Sequence, residues 1–256
     1  VSLRLPPKLK PGAGLRAVLR SLAMQAKRDV ERMADHPEQR IHSLRTSMKK
    51  FRSLLRLADA WTAKLQKKAL RERIRILKDE MAGSRDETVI YKTVEKVLGE
   101  KSVRRLGLKC PRTASAATAP LSLLMTADEL VVLTETLAWD KVGVGKLRER
   151  WKDSLGDARQ ARQEARHSGV AHDFHMWRKR VKDIWYQSAA LDRLGKKIGA
   201  VGKDAKKLSE VLGEEHDLTM VLEAVKKLTP DEKATLENAR GRLRDRAFAL
   251  AKDARI

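Results

Sequence analysis

IHSLRTSMKKFRSLLRLAD, residues 41–59, decides how the rest of this sequence reads. Wound at about 100° per residue, it places Ile41, Leu44, Met48, Phe51 and Leu55 on one face at helical spacing, the expected core line. His42, Arg45, Lys49, Arg52 and Arg56 follow steps of 3, 4, 3 and 4. They form one basic stripe within a sector of roughly 80°. The stripe borders the apolar face, while Ser43, Thr46, Ser47 and Ser53 take the opposite side. No acid stands between Glu38 and Asp59 to give these cations a local partner. Like-charge neighbours at i,i+4 cost about what mixed pairs would gain, so the pattern points to an anion outside the chain.

Of the 256 residues, 42% are hydrophobic, enough for a buried core and too many for a disordered basic tail. Charged residues make up 35%, and Lys, Arg, Leu, Ala and Glu dominate, which is a helical composition. The formal net charge of +22 exceeds what solubility requires. It implies a polyanionic partner: nucleic acid, polyphosphate or an anionic membrane surface. Residues 40–78 alone hold 13 Lys or Arg against Asp59 and Glu72, half of the excess. Cys110 is the single cysteine and is read as incidental. An intramolecular disulfide and a cysteine-rich zinc site are thereby excluded, and a reducing interior is expected. No apolar run approaches the roughly 18 residues of a membrane span, and no secretory h-region is present. The first residue is Val1, as expected for a piece of a longer chain.

Nothing alternates with period 2 for long enough to form a strand, so an all-α fold is expected. Residues 1–14 read as an extended lead-in, followed by helices at 15–34 and from Ile41. A third helix at 64–82 carries Leu65, Ala69, Ile74, Leu77 and Met81. A fourth is capped by Ser84, has Asp86 and Glu87 in its first turn and ends near Gly99. Residues 107–120 lack periodicity and read as a linker. Helices are then expected at 127–139, 144–167, 171–194, 196–212, 216–228 and 230–254, the last opening on Thr229-Pro230-Asp231-Glu232.

The organising helix recurs. FHMWRKRVKDIWYQSAALD (174–192) aligns without gaps 133 residues later, matching His42 with His175, Arg45 with Arg178 and Lys49 with Lys182. A second landmark, Met81 to Asp86, matches Leu212 to Asp217 at an offset of 131. The second stripe is weaker, since Trp185 stands for Arg52 and Asp183 for Lys50. The order of the landmarks implies a duplicated unit within a single domain, 1–256. Repeat A covers 14–106, a linker 107–120, a connecting helix 121–143, repeat B 144–229 and a C-terminal helix 230–256. The expected architecture is two four-helix bundles related by a pseudo-twofold axis, with both stripes on one basic surface.

These two H-x-x-R-x-x-x-K helices, each followed about forty residues on by an L-G-x-x-(R/N)-D-like turn, resemble the conserved histidine α-helical domain (CHAD) family. The most specific element is H-x-x-R-K-x-x-K at His175 to Lys182, with Tyr186. Met81-Ala82 stands where the family has Leu-Gly, and Trp185 where it favours Arg. The resemblance covers about Gly14 to Arg255. It implies two four-helix bundles and the binding of inorganic polyphosphate along a basic groove. It further implies a fused or associated triphosphate-tunnel (CYTH) domain and a cytoplasmic setting at polyphosphate granules. No cofactor is implied.

Arg grips phosphate oxygens bidentately and Lys acts as a point charge, both ionised at neutral pH. The expected phosphate contacts are His42, Arg45, Lys49, Arg52, Arg56, His175, Arg178, Lys179 and Lys182. The two histidines are read as donors, partly protonated beside a bound anion; the alternative is a satisfied histidine at the core boundary. Arg16, Arg20, Lys27, Lys50, Arg148, Lys152, Arg159 and Tyr186 are groove-wall candidates. Asp86 and Asp217 are helix-start residues or carboxylates that orient a stripe Arg or His. Trp177 lies in the apolar register and reads as core, whereas Trp185 suits either packing or the groove. Nucleic acid is the second choice, because single-strand binders stack bases on aromatics and only 4% of the chain is aromatic. His172, His175 and the His216-Asp217 pair raise a metal-dependent phosphohydrolase of the HD type. Its ligands are only half duplicated, since Gln39 and Arg85 align with His172 and His216. No metal and no catalytic residue is therefore expected, and the chain reads as a binding module.

Overall fold

The computed structural model describes residues 1–58, 63–79, 85–110 and 119–256. Ser84, the Met81-Ala82 landmark and Asp59 lie outside them. Among the described residues there is no strand, and the fold is all-α. The helices are α1 (Pro11–Glu31), α2 (Pro37–Leu55), α3 (Lys64–Asp79), α4 (Arg85–Leu98) and α5 (Glu100–Arg105). They continue with α6 (Leu121–Glu135), α7 (Val144–Ser168), α8 (Ala171–Leu191), α9 (Lys196–Ala224) and α10 (Pro230–Ala254). No helix among these residues is long and apolar enough to cross a membrane.

The chain divides into two compact units. The first comprises Val1–Ala82, Thr113–Ser154 and Tyr186–Gly202; the second comprises Gly83–Arg112, Leu155–Trp185 and Lys203–Ile256. The chain passes between them inside α7, α8 and α9, so each unit draws on both halves of the sequence. The expected repeats, 14–106 and 144–229, are each shared between the two units.

In the first unit α1 packs on α2, α2 on α3, α3 on α6 and α6 on α1, a closed ring of four helices. The segment read as a connector is thus a wall of this bundle. Leu123, Ala127 and Leu130 of α6 are buried at helical spacing, with Thr126 and Thr134 beside them. Burial follows the core line of α2 from its second member on: Leu44, Met48 and Phe51 are fully covered and Leu55 nearly so, while Ile41 in the first turns is only half-buried. The serine side of α2 is also inward, contrary to its reading as an outer face. Ser53 and Ser47 are buried, and the Ser53 carbonyl accepts from Gln187 Nε2 at 3.0 Å. The lead-in is not free-standing: Leu5 is buried, its N–H donates to the Ala190 carbonyl at 3.2 Å, and α1 already begins at Pro11. Gly12 lets the first turn of α1 meet the 3-10 turn Trp139–Lys141, since a Cβ there would stand 1.8 Å from the Trp139 carbonyl oxygen. Leu65 is 81% exposed, while Leu70, Ile74 and Leu77 are buried. Nine residues separate Leu65 from Ile74, about half a turn out of phase at 100° per residue.

In the second unit Val94, Val103, Leu218, Val221 and Leu236 form one core cluster. Phe174, Trp177 and Phe248 form an aromatic group, with Trp177 stacked on Phe248 at 5.0 Å between centroids. α10 starts where expected, with a full capping box. Thr229 accepts from the Glu232 N–H at 3.2 Å, and the Glu232 carboxylate accepts from the Thr229 N–H at 2.9 Å. The expected break between 212 and 216 is absent, because α9 runs unbroken for 29 residues. Leu208, Leu212, Glu215 and Thr219 are all buried along one side of it. Burial of that side outweighs the roughly 1 kcal/mol cost of Gly213 within a helix.

Candidate functional site

Each stripe lies within one unit and is described there. On α2 the core line holds the helix down and leaves the stripe at its border. Arg45, Lys49, Arg52 and Arg56 are half-buried and His42 is exposed. Long cationic side chains at such a border pack their stems and present their heads. His42, Arg45, Lys49 and Arg56 each also have an interaction of their own within the protein, so the absence of acids along α2 does not leave the stripe bare. Lys50 is half-buried, and burial draws its ammonium below the ordinary value.

On α8 the stripe His175, Arg178, Lys179, Lys182 is half-buried as well. It lies against α9 at the Leu212 to Asp217 segment. The rings of His175 and His216 are 4.7 Å apart. The Arg178 guanidinium lies over Gly213, where a Cβ would stand 3.6 Å from Nη2. A small residue keeps that approach open. The second sequence landmark is therefore a stretch of helix facing the stripe, not a turn. Asp217 consequently starts nothing: it sits inside α9, whereas Asp86 does lie in the first turn of α4. Buried Glu215 is held by Arg244 at 2.8 Å, and Arg244 in turn lies 3.9 Å over the Phe174 ring and donates to the Gly169 carbonyl. This network fixes α9 to α10 beside the stripe.

His175 departs from the protonated donor expected of it. Burial above all, then the charges of Lys179, His216, Arg178 and His172, lower its pKa to about 4. The ring is neutral at neutral pH, and its Nδ1 is buried without a hydrogen-bond partner among the described residues. The folded-state value lies below the ordinary one near 6.5, so between these two pH values the unfolded chain binds the extra proton. Stability is then intact above pH 6.5 and falls as pH drops toward 4. His175→Gln is expected to flatten this acid limb, by on the order of 2 kcal/mol once solvent screening is allowed for. Urea midpoints at pH 7 and pH 4.5 measure it, and a limb as steep in the variant as in the parent contradicts the assignment.

The groove-wall candidates divide. Arg16 and Arg20 pair with Glu135 at 3.8 and 3.1 Å, and Lys27 pairs with Asp128 at 2.5 Å and Glu31 at 3.7 Å. These three fasten α1 to α6, and within α1 itself, and are already matched. Arg148 donates to the Leu194 carbonyl and Arg159 to the Arg255 carbonyl. Lys152 is exposed, while Tyr186 is buried in the first unit and lines no open wall. Trp177 is fully buried, as read, and Trp185 is half-buried. Among the described residues no three His, Cys, Asp or Glu side chains gather as a metal-binding group, His216 and Asp217 included.

Cationic residues that the sequence reading passed over line a cavity of about 460 Å³ in the second unit. Lys92 and Lys96 come from α4, Arg242 and Arg246 from α10 and Glu214 and Asp217 from α9, Glu214 pairing with Lys96 at 3.0 Å, above a floor of Val97, Leu218, Ala239 and Leu243. The i,i+4 spacing of each cationic pair was a usable signal. Neither pair belongs to a duplicated stripe, so the repeat pattern does not single it out.

A family model described as the CHAD domain matches residues 13–226. Among solved structures, the crystal structure of the CHAD domain from the plant Ricinus communis matches with a TM-score of 0.71 at 18% identity, covering 100% of this chain and 95% of that one. At that identity the likeness speaks for the fold. No curated protein matches the chain.

Proposed function

Because the chain belongs to the CHAD family, we propose that it is a binding module for inorganic polyphosphate, held by the basic stripes of α2 and α8. The observation that carries the reading is the α8 stripe. Arg178, Lys179 and Lys182 sit half-buried on one helix face, with Arg178 laid over Gly213 of α9. Successive stripe residues stand one turn apart, about 5 Å, a spacing suited to a periodic chain of phosphates. Each charged hydrogen bond contributes about 1.5–3 kcal/mol, and association costs at least about 4. A few contacts per stripe then reach micromolar affinity only if most are made. Arg45, Lys49, Arg52 and Arg56 supply the corresponding contacts on α2, with His42 beside them, and His175 stands by the α8 stripe as a neutral donor. The module carries no catalytic residue of its own in this reading. It acts beside a triphosphatase domain or at polyphosphate granules in the cytoplasm.

The deciding experiment is competition at fixed salt between polyphosphate and single-stranded DNA of matched charge. Preference for DNA overturns the proposal in favour of a nucleic-acid binder. Phosphate release measured with and without Mg²⁺ tests the absence of catalysis, and turnover in either arm ends that part of the reading. Salt gives an independent check. If about four phosphates are neutralised, affinity falls on the order of fiftyfold between 50 and 200 mM salt on the single-strand scale. A flat response is incompatible with the proposal.

A further inference from the structure

The structure assigns a second anion site to the second unit, a cradle for a compact oligophosphate of the pyrophosphate or tripolyphosphate class between α7 and the C-terminal end of α10. An open cavity of about 440 Å³ there is lined by Arg159, Arg162, Arg166, Lys252 and Arg255, and by no Asp or Glu side chain. Its volume lies in the range of small-ligand sites, about 300–1,000 Å³. None of the stripe residues lines it.

Two of the five cations are explained by the helix end they face. Arg159 donates to the Arg255 carbonyl at 3.0 and 2.7 Å, and Arg162 to the carbonyls of Ala251 and Ile256 at 3.2 and 2.6 Å. The bonds to Arg255 and Ile256 occupy main-chain oxygens past the last turn of α10, whereas Ala251 already accepts from the Ile256 N–H at 3.0 Å. The helix dipole offers only about half a negative charge, and the Ile256 main-chain oxygen at most one more, against five full positive ones. Arg166 is set in place over the Phe248 ring at 4.7 Å, which leaves its N–H groups available. Among the described residues, Arg166, Lys252 and Arg255 make no side-chain bond to a carboxylate. The crowding is felt inside the cluster: burial first, then Arg166 and Arg159, hold the Arg162 guanidinium below its ordinary value. A cluster that is concave, preset by backbone bonds and several charges short of neutrality fits a small ligand of high charge density. A nucleic-acid strand would need a longer track than this cavity offers.

Calorimetric titration with inorganic tripolyphosphate at pH 7 and fixed ionic strength tests the assignment. Lys252→Gln with Arg255→Gln changes two exposed side chains and leaves the Arg159 and Arg162 bonds to the backbone in place; an unchanged melting temperature confirms its fold. This variant is expected to bind tripolyphosphate at least tenfold more weakly than the parent. Lys226→Gln with Lys227→Gln, two exposed cations outside both the stripes and this cavity, is expected to stay within threefold of it. No binding by the parent at millimolar tripolyphosphate overturns the inference. So does indifference to the Lys252 and Arg255 changes, or equal loss in the Lys226 and Lys227 variant. Long-chain polyphosphate in parallel titrations keeps the two readings apart. If the parent ignores long chains yet binds tripolyphosphate through Lys252 and Arg255, the stripe reading falls and this one stands. If long chains are also weakened by the Lys252 and Arg255 changes, the occupant is a chain end; if not, it is free oligophosphate.

Discussion

Alanine at both Arg45 and Arg178 lowers polyphosphate affinity by roughly a hundredfold or more, since each change removes charged hydrogen bonds worth about 1.5–3 kcal/mol. Alanine at both Lys226 and Lys227, which are exposed at the end of α9, is expected to change affinity by less than about threefold, through long-range charge alone. Both pairs remove two positive charges. Equal losses would reduce the partner to generic electrostatics and sink the stripe as a site. The single variants complete the comparison, because Arg45 and Arg178 lie in different compact units. Independent sites give additive losses, whereas one polymer engaging both stripes gives coupled ones. Arg178 is half-buried, so Arg178→Gln, which keeps bulk and hydrogen bonding, guards against a loss caused by unfolding. Titration calorimetry with melting temperatures for every variant reads all of these outcomes.

Trp177→Ala is expected to cost about 3–5 kcal/mol of stability, the range for emptying a large aromatic site in a core. Trp177 is fully buried, stacked on Phe248 and tilted against Phe174 at 6.1 Å. Against a total stability of about 5–15 kcal/mol, that loss is large enough to lower the urea midpoint steeply. Trp177→Phe is expected to cost much less. It keeps a ring against Phe248 and removes the indole Nε1, which is buried without a hydrogen-bond partner among the described residues. A loss below about 1 kcal/mol for Trp177→Ala contradicts its place in the core.

What could be read without coordinates was what depends on neighbours in sequence. The core line of α2 from Leu44 to Leu55, the start of α10 at Thr229 to Glu232 and the burial of Trp177 all follow from local spacing, and the structure has each as read, with Ile41 alone of that line only half-buried. Local chemistry misled where two readings shared one signal. Gly213 followed by Glu214 looks like a helix end, yet buried Leu212 and Glu215 carry α9 through it. The α6 segment looked like a connector because its apolar residues lie on more than one side, Met125 and Val132 being exposed while Leu123 and Leu130 are buried.

The sequence by itself determined that the chain is helical, strongly basic and marked twice by the same His, Arg and Lys spacing, because helix formation and periodicity are properties of residues a turn apart. Tertiary structure alone decided which charges are already matched, as Arg16, Arg20 and Lys27 are by α6. It also decided that Tyr186 is buried and that His175 is neutral beside His216. Those outcomes rest on desolvation and on partners distant in sequence, and neither exists until the helices have packed.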